Sequence, residues 1–263
     1  MGLQLADNVA LVTASSSGLG KASAAVFAEE DANVVVNGRD EQRLADTVEE
    51  LDALGDGDVI GVSGDLTEPD DIEALVQRTL DEFGQLDHLV TNAGGPPSGP
   101  FLETTEEDWY EAFDLLVMSV VRLVNEAVEP LEESEYGTIV NITSRSVKEA
   151  IDSLVLSNSV RMGVIGLEKT LSKELAPDVR ANAVLPAPHE TERIRNLVEQ
   201  GVERGEYDSL EAGLEERGSS NPMGRIGQPQ ELGEVVAFLS SPRSSYVNGT
   251  AIPVDGGDTG SNL

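Results

Sequence analysis

The stretch VALVTASSSGLGK (9–21) decides the fold. Its first half is a continuous apolar, β-branched run, the mark of a strand covered on both faces. A Gly/Ser-rich turn follows, and a helix begins near Lys21. Strand, turn and helix N-terminus together present unpaired backbone N–H groups and a positive dipole end, which suits a pyrophosphate. With only Gly18 and Gly20 in the turn, a structural turn without ligand is the competing reading.

Outward from this stretch the same rhythm repeats. Further strand-like runs are NVVVN (33–37), DVIGV (58–62), DHLVT (87–91), GTIVNIT (137–143), ANAVL (181–185) and AIPV (251–254). Between them lie helical patterns. Over 109–131, Phe113, Val117, Val120, Val124, Val128 and Leu131 recur every three or four residues and give one apolar face. Val160, Val164, Leu167, Leu171 and Leu175 do the same over 157–175, where Gly163 and Gly166 suit a close helix contact. Alternating strands and helices with right-handed crossovers predict an α/β fold: a Rossmann-like, doubly wound sheet of seven parallel strands with helices on both faces. Its ligand crevice lies at the carboxyl ends of the strands. No linker divides the chain, so residues 1–263 are expected to form a single domain. The polar segment at about 190–221, with Gly201, Gly205, Gly213 and Gly218, is expected to be a lid over the crevice or a solvated surface helix pair.

The second strand ends in Asn37-Gly38-Arg39. A carboxylate there would take the ribose 2′-hydroxyl of NAD, whereas a cation accepts the 2′-phosphate of NADP. Arg39 therefore points to NADP(H), with a salt-bridged surface Arg as the plain reading, and the neighbouring Asp40 keeps NAD open.

Composition narrows the function. The chain has no Cys and only His88 and His189, which excludes disulfides, thiolate metal sites and a Cys nucleophile, and no metal is expected. Acids outnumber bases 49 to 17, for a net charge of −32, so nucleic acid and anionic membrane are poor partners. The acids are spread along the chain, which fits a halophilic protein in a salt-rich cytoplasm, where molar salt shrinks the Debye length to about 3 Å. An ordinary acidic protein or a binder of a cationic partner are the alternatives. The first residues lack a basic and apolar leader pattern and no apolar run spans a membrane, so a cytoplasmic protein is expected.

TASSSGLG (13–20), GDLT (64–67), NAGG (92–95), TIVNITS (138–144), NAVLPAPHET (182–191), NPMGRIGQPQELGEVVAFLSS (221–241) and VDGG (254–257) occur in order across nearly the whole chain. In these the sequence resembles the short-chain dehydrogenase/reductase family, and more narrowly its 3-oxoacyl-carrier-protein-reductase-like branch. The resemblance implies that Ser16, Ser17, Gly18, Leu19 and Gly20 line the phosphates, and that Asp65 and Leu66 flank adenine. It places Asn92, Ala93 and Gly94 at the adjacent ribose, and Pro186, Ala187 and Thr191 on the nicotinamide side. It also implies a homotetramer and a small-molecule carbonyl or alcohol substrate. Ala14 and Ala187 stand where the family has glycine, and a methyl resists a turn that needs positive φ.

The family's catalytic group is a Ser, a Tyr, a Lys four residues after the Tyr, and an Asn that holds a relay water. Four residues make about one helical turn, so the Tyr and Lys positions share a face. Here Ser144 is retained, but the other positions hold Ser157, Arg161 and Leu116. Neither Ser nor Arg releases a proton readily at neutral pH, although Arg161 keeps the positive charge and could grip ribose hydroxyls or a carboxylate. Two functions follow: an oxidoreductase with an atypical active site, its catalytic residues Ser144, Ser157 and Arg161, or a catalytically inactive NADP(H)-binding sensor or scaffold. A third is dehydration or isomerisation using His189. Elsewhere, His189 is read as a solvent-facing loop residue or a proton donor, His88 as structural, Arg145, Lys148 and Glu149 as a solvated charged loop or as entering the substrate cleft, and Tyr207 as the one tyrosine able to swing in.

Overall fold

The computed structural model describes residues 2–261; Met1, Asn262 and Leu263, the ends of the expected domain, lie outside the described residues. All seven predicted strands form: β1 Val9–Val12, β2 Asn33–Gly38, β3 Val59–Ser63, β4 His88–Thr91, β5 Thr138–Ile142, β6 Arg180–Pro186 and β7 Ala251–Val254. They pair in parallel as one sheet in the order β3-β2-β1-β4-β5-β6-β7. Leu11 at the centre lies opposite Val35 on one side and Leu89 on the other.

The helices are α1 Gly18–Glu29, α2 Glu41–Asp52, α3 Pro69–Phe83, α4 Glu106–Phe113, α5 Ser119–Glu133, α6 Val155–Glu174, α7 Glu192–Glu203, α8 Leu210–Gly218 and α9 Pro229–Ser240. Strand residues alternate between two cores. Leu11 and Val35 join Leu75, Leu123 and Val164 from α3, α5 and α6. Ala10, Val12, Val34 and Val36 join Phe27, Leu232 and Val236 from α1 and α9. Each fully buried Val or Leu contributes about 1.5–3 kcal/mol, so continuous apolar strands are stable only when helices cover both faces.

The helix expected over 109–131 is broken by a π turn, Asp114–Met118, between α4 and α5. The inserted residue rotates the face, so Phe113 is half exposed rather than on the buried stripe that Val120, Leu123, Val124, Ala127 and Leu131 form. Gly163 meets Val117 of this turn, where a side chain would begin 3.2 Å from Val117 Cγ2, while Gly166 faces open space. The close contact that Gly163 allows is therefore made within the chain. In the segment 190–221, α7 and α8 pack as a pair around Tyr207.

Candidate active site

The strand order reverses between β1 and β4, and their carboxyl ends open the crevice. The β1 turn is pinned by buried polar groups. Ala14 N–H donates to Asn37 Oδ1 at 3.1 Å, and Asn37 Nδ2 donates to Val62 O and Gly64 O, both at 3.2 Å. Thr13 Oγ1 donates to Asn92 O at 2.7 Å, and Asn92 Nδ2 donates to Ala14 O at 3.0 Å. The tips of β1, β2 and β4 are thus tied together. Sequence reasoning missed Thr13 and Asn37, whose signal was a polar residue at the end of an apolar strand.

Close packing continues into α1. A side chain on Gly20 would start 2.6 Å from Ala14 O and 2.9 Å from Ser15 Cα, so only glycine lets the helix reach the turn. Ala14 takes φ 44°, the left-handed conformation that the missing glycine would adopt freely. Ala187 has no positive φ, so its methyl carries no such cost. Ser17 is the N-cap of α1 yet makes no side-chain capping bond, and the first turn carries no acid. Ser16, Gly18 and Leu19 complete the turn, and Gly18 lies 3.7 Å, measured from where a side chain would begin, from Thr191 Cγ2. The residues assigned to the phosphates and to the nicotinamide side therefore meet across one gap, with Pro186 buried at the end of β6 and Thr191 at the N-cap of α7. These free N–H groups, the glycine approach and the open dipole end fit a dinucleotide pyrophosphate.

Arg39 projects from the end of β2 with its side chain 79% exposed and pairs with Asp65 Oδ2 at 3.3 Å. Such surface pairs contribute about 0–1 kcal/mol and are readily exchanged. Hydrogen bonds from Thr67, chiefly its backbone N–H, hold Asp65 below the usual carboxylate range, with Arg39 adding to the effect. Asp40, the residue that kept NAD open, caps α2 by accepting Arg43 N–H at 2.9 Å. Leu66 is buried in the core beneath this corner.

On the other side of the crevice the catalytic candidates gather along β5 and α6, but not in the expected contacts. Ser144 Oγ accepts from Ser146 N–H at 3.1 Å, and Ser146 Oγ lies 3.1 Å from Ser157 Oγ. Ser146 therefore stands between the two expected partners, a link the sequence did not flag. Arg161 is buried; its Nη2 donates to Gly94 O at 3.3 Å and its Nε has no partner. Burial, and then the nearby charge of Arg193, lower its pKa to about 10, which leaves it protonated at neutral pH. Leu116 lines a narrow cavity with Asn92, Ala93, Thr143 and Arg161, with room for about one water; Leu116 offers that water no polar group, and the Asn92 amide already donates to Ala14 O.

The alternative acids are engaged elsewhere. His189 is buried, not solvent-facing, and its Nδ1 donates to Ala187 O at 2.8 Å, leaving Nε2 as an acceptor beside Gly227. Burial lowers its pKa, so at neutral pH it is a poor proton donor. It borders a cavity of about 210 Å³ with Asn221, Met223 and Asp255. Arg145 pairs with Asp258 at 3.2 Å and Glu149 accepts Gly260 N–H at 2.9 Å, so this loop anchors the C-terminal segment instead of being freely solvated. Tyr207 is wedged at Gly201 and Gly213, where added side chains would start 2.5 and 2.9 Å from its ring. His88 is structural as expected: it lies between Asn8 Nδ2 and Thr138 Oγ1, each at 2.9 Å, and burial lowers its pKa to about 4.

Residues 13–259 match the family model described as enoyl-(acyl carrier protein) reductase. A 3-oxoacyl-[acyl-carrier-protein] reductase of Thermotoga maritima is 32% identical over 256 residues, covering 97% of this chain and 99% of the relative. An uncharacterized oxidoreductase of Bacillus subtilis is 31% identical over 261 residues, 98% of each chain. Among solved structures, the L-sorbose reductase of Gluconobacter frateurii, complexed with NADPH and L-sorbose, superposes with a TM-score of 0.94 at 30% identity, covering 99% of this chain and 100% of that one. The pinned turn, the seven-stranded parallel order and these matches over nearly the full length place the chain in the short-chain dehydrogenase/reductase family, in its 3-oxoacyl-carrier-protein-reductase-like branch.

Proposed function

We propose that the protein is an NADP(H)-dependent oxidoreductase acting on a carbonyl or alcohol substrate through an atypical active site. The observation that carries this reading is the preserved phosphate turn, with Gly20 against Ala14 and Thr191 facing Gly18. The free Ser17 N-cap and the exposed Arg39 support a dinucleotide with a 2′-phosphate, as does the NADPH bound by the Gluconobacter relative. Bound NADPH supplies the hydride. Ser144 orients the substrate oxygen, Arg161 holds positive charge beside it, and Ser157 or a water passes the proton. Electrostatic stabilisation of a developing alkoxide needs a donor aimed at it, a role we give to Ser144, with the Arg161 charge nearby. Without the family's Tyr, proton transfer is the slow part, costing roughly 10²–10⁴ in rate.

The helix pair α7 and α8 acts as the lid, and a homotetramer would cover the half-exposed Phe113 and Met162 on α4 and α6. The high acid content supports a salt-rich working medium. The test is NADPH and NADH titration in molar KCl, followed by NADPH oxidation with a panel of carbonyl compounds. NADPH is expected to bind at least about tenfold more tightly than NADH, with Arg39→Ala removing the preference. Tight NADPH binding without turnover of any carbonyl would instead favour the sensor or scaffold, a reading supported by the joint replacement of Tyr, Lys and Asn.

A further inference from the structure

Two arginines from different helices reach the adjacent residues Gly94 and Gly95. Arg161 comes from the middle of α6, only 9% exposed, with Nη2 on Gly94 O and Nε unpartnered. Arg193 comes from the start of α7, and its Nη1 lies 3.1 Å from where a side chain on Gly95 would begin. The guanidiniums are close enough that Arg193 adds to the lowering of the Arg161 pKa. Among the described residues neither forms an ion pair, although acids outnumber bases 49 to 17. Of the other fifteen Lys and Arg nine are so paired, including the neighbouring Arg195, which pairs with Glu190.

Arg161 is buried and Arg193 exposed, their like charges repel, and an anion between them removes the repulsion. Guanidinium forks match the two oxygens of a carboxylate in plane. Ser157 lies one helical turn, about 6 Å, before Arg161 on the same face, so a carboxylate held here keeps its carbonyl a few bonds away. We propose that Arg161 and Arg193 clamp the carboxylate of the substrate, so that the carbonyl compound reduced is a short oxo acid. This rests on the oxidoreductase reading above and names its substrate class. The other source of anionic oxygens in the crevice is the cofactor's phosphates, and the test separates the two.

The NADPH-loaded protein is titrated calorimetrically in molar KCl with 2- and 3-hydroxybutyrate and with their methyl esters. With the cofactor already reduced these compounds are not turned over, so binding is read apart from activity. Each acid is expected to bind at least about tenfold more tightly than its ester, the size of a charge-assisted pair. Arg193→Gln removes that preference and Arg193→Lys, which keeps the charge but not the fork, retains part of it. Equal binding of acid and ester overturns the clamp and leaves the reductase reading standing. A tenfold loss of NADPH affinity in Arg193→Gln with the acid preference intact also overturns it, assigning Arg193 to a cofactor phosphate. Failure of the wild type to bind NADPH strikes the reductase reading instead, and the same titrations without cofactor then decide the clamp.

Discussion

Around the β1 turn, the side chains of Thr13, Asn37 and Asn92 hydrogen-bond the backbone of neighbouring strand ends, while along β5 and α6 Arg145 Nε, Arg161 Nε and Glu168 Oε1 are buried without partners. In the first region these polar side chains are satisfied within the protein. The second carries polar atoms whose desolvation costs roughly 1–3 kcal/mol each, a cost usually tolerated where a ligand or a proton finishes the site. Binding and chemistry are thus built to different standards within one crevice. A nucleotide turn can keep its geometry through changes that remove the catalytic acid, because no hydrogen bond of the turn passes through Ser157 or Arg161.

The sharpest way to break this contrast is to give the second region the family's groups. Ser157→Tyr with Arg161→Lys is expected to raise NADPH oxidation with a neutral carbonyl by roughly 10²–10⁴-fold, the usual contribution of general acid catalysis. Steady-state rates at saturating NADPH check it, and no increase would mean that more than the proton donor is missing. The first region is broken by Gly20→Ala, whose methyl would start 2.6 Å from a backbone oxygen. The expected loss is about 1–3 kcal/mol of stability with NADPH affinity falling about a hundredfold, read by thermal melting and fluorescence titration.

Glu168 sharpens the contrast through pH. Burial raises its pKa to about 7, above the ordinary 4.5, so the native state holds a proton that the unfolded chain releases. Its stabilising effect is present below pH 4.5 and lost as pH rises through 7. Glu168→Gln is therefore expected to raise stability by about 1–3 kcal/mol at alkaline pH and by little in acid, measured by denaturant titration at both. The smallest effect is Ala14→Gly, which relieves the φ of 44° and is expected to stabilise by up to about 1 kcal/mol without changing the turn's ligand.

The fold was legible because its determinants are local. Continuous apolar strands and the Gly/Ser turn state their own environment, and every expected strand forms within two residues of its predicted ends. The identities at Ser157 and Arg161 were likewise readable by counting from Ser144, and that at Leu116 by counting seven from Trp109. What the sequence left unread depends on side chains meeting across distance. Ser146 between Ser144 and Ser157, Arg193 beside Gly95, the inward turn of His189 and the wedge made by Tyr207 all join segments far apart in the chain or set by loop conformation. The π turn at Asp114–Met118 also escaped, since a three- or four-residue apolar spacing reads the same through an inserted residue.

The acid-free first turn of α1 sits on a body of charge −32. Far away, an anionic dinucleotide meets a repulsive field, whereas at the crevice it meets a helix N-terminus, Arg161 and Arg193. Arrival and residence are therefore governed by different charges. Added salt shortens the reach of the distant repulsion while leaving buried contacts nearly untouched, so the association rate climbs with KCl and the dissociation rate scarcely moves. The crevice behaves as a gate that salt opens from outside.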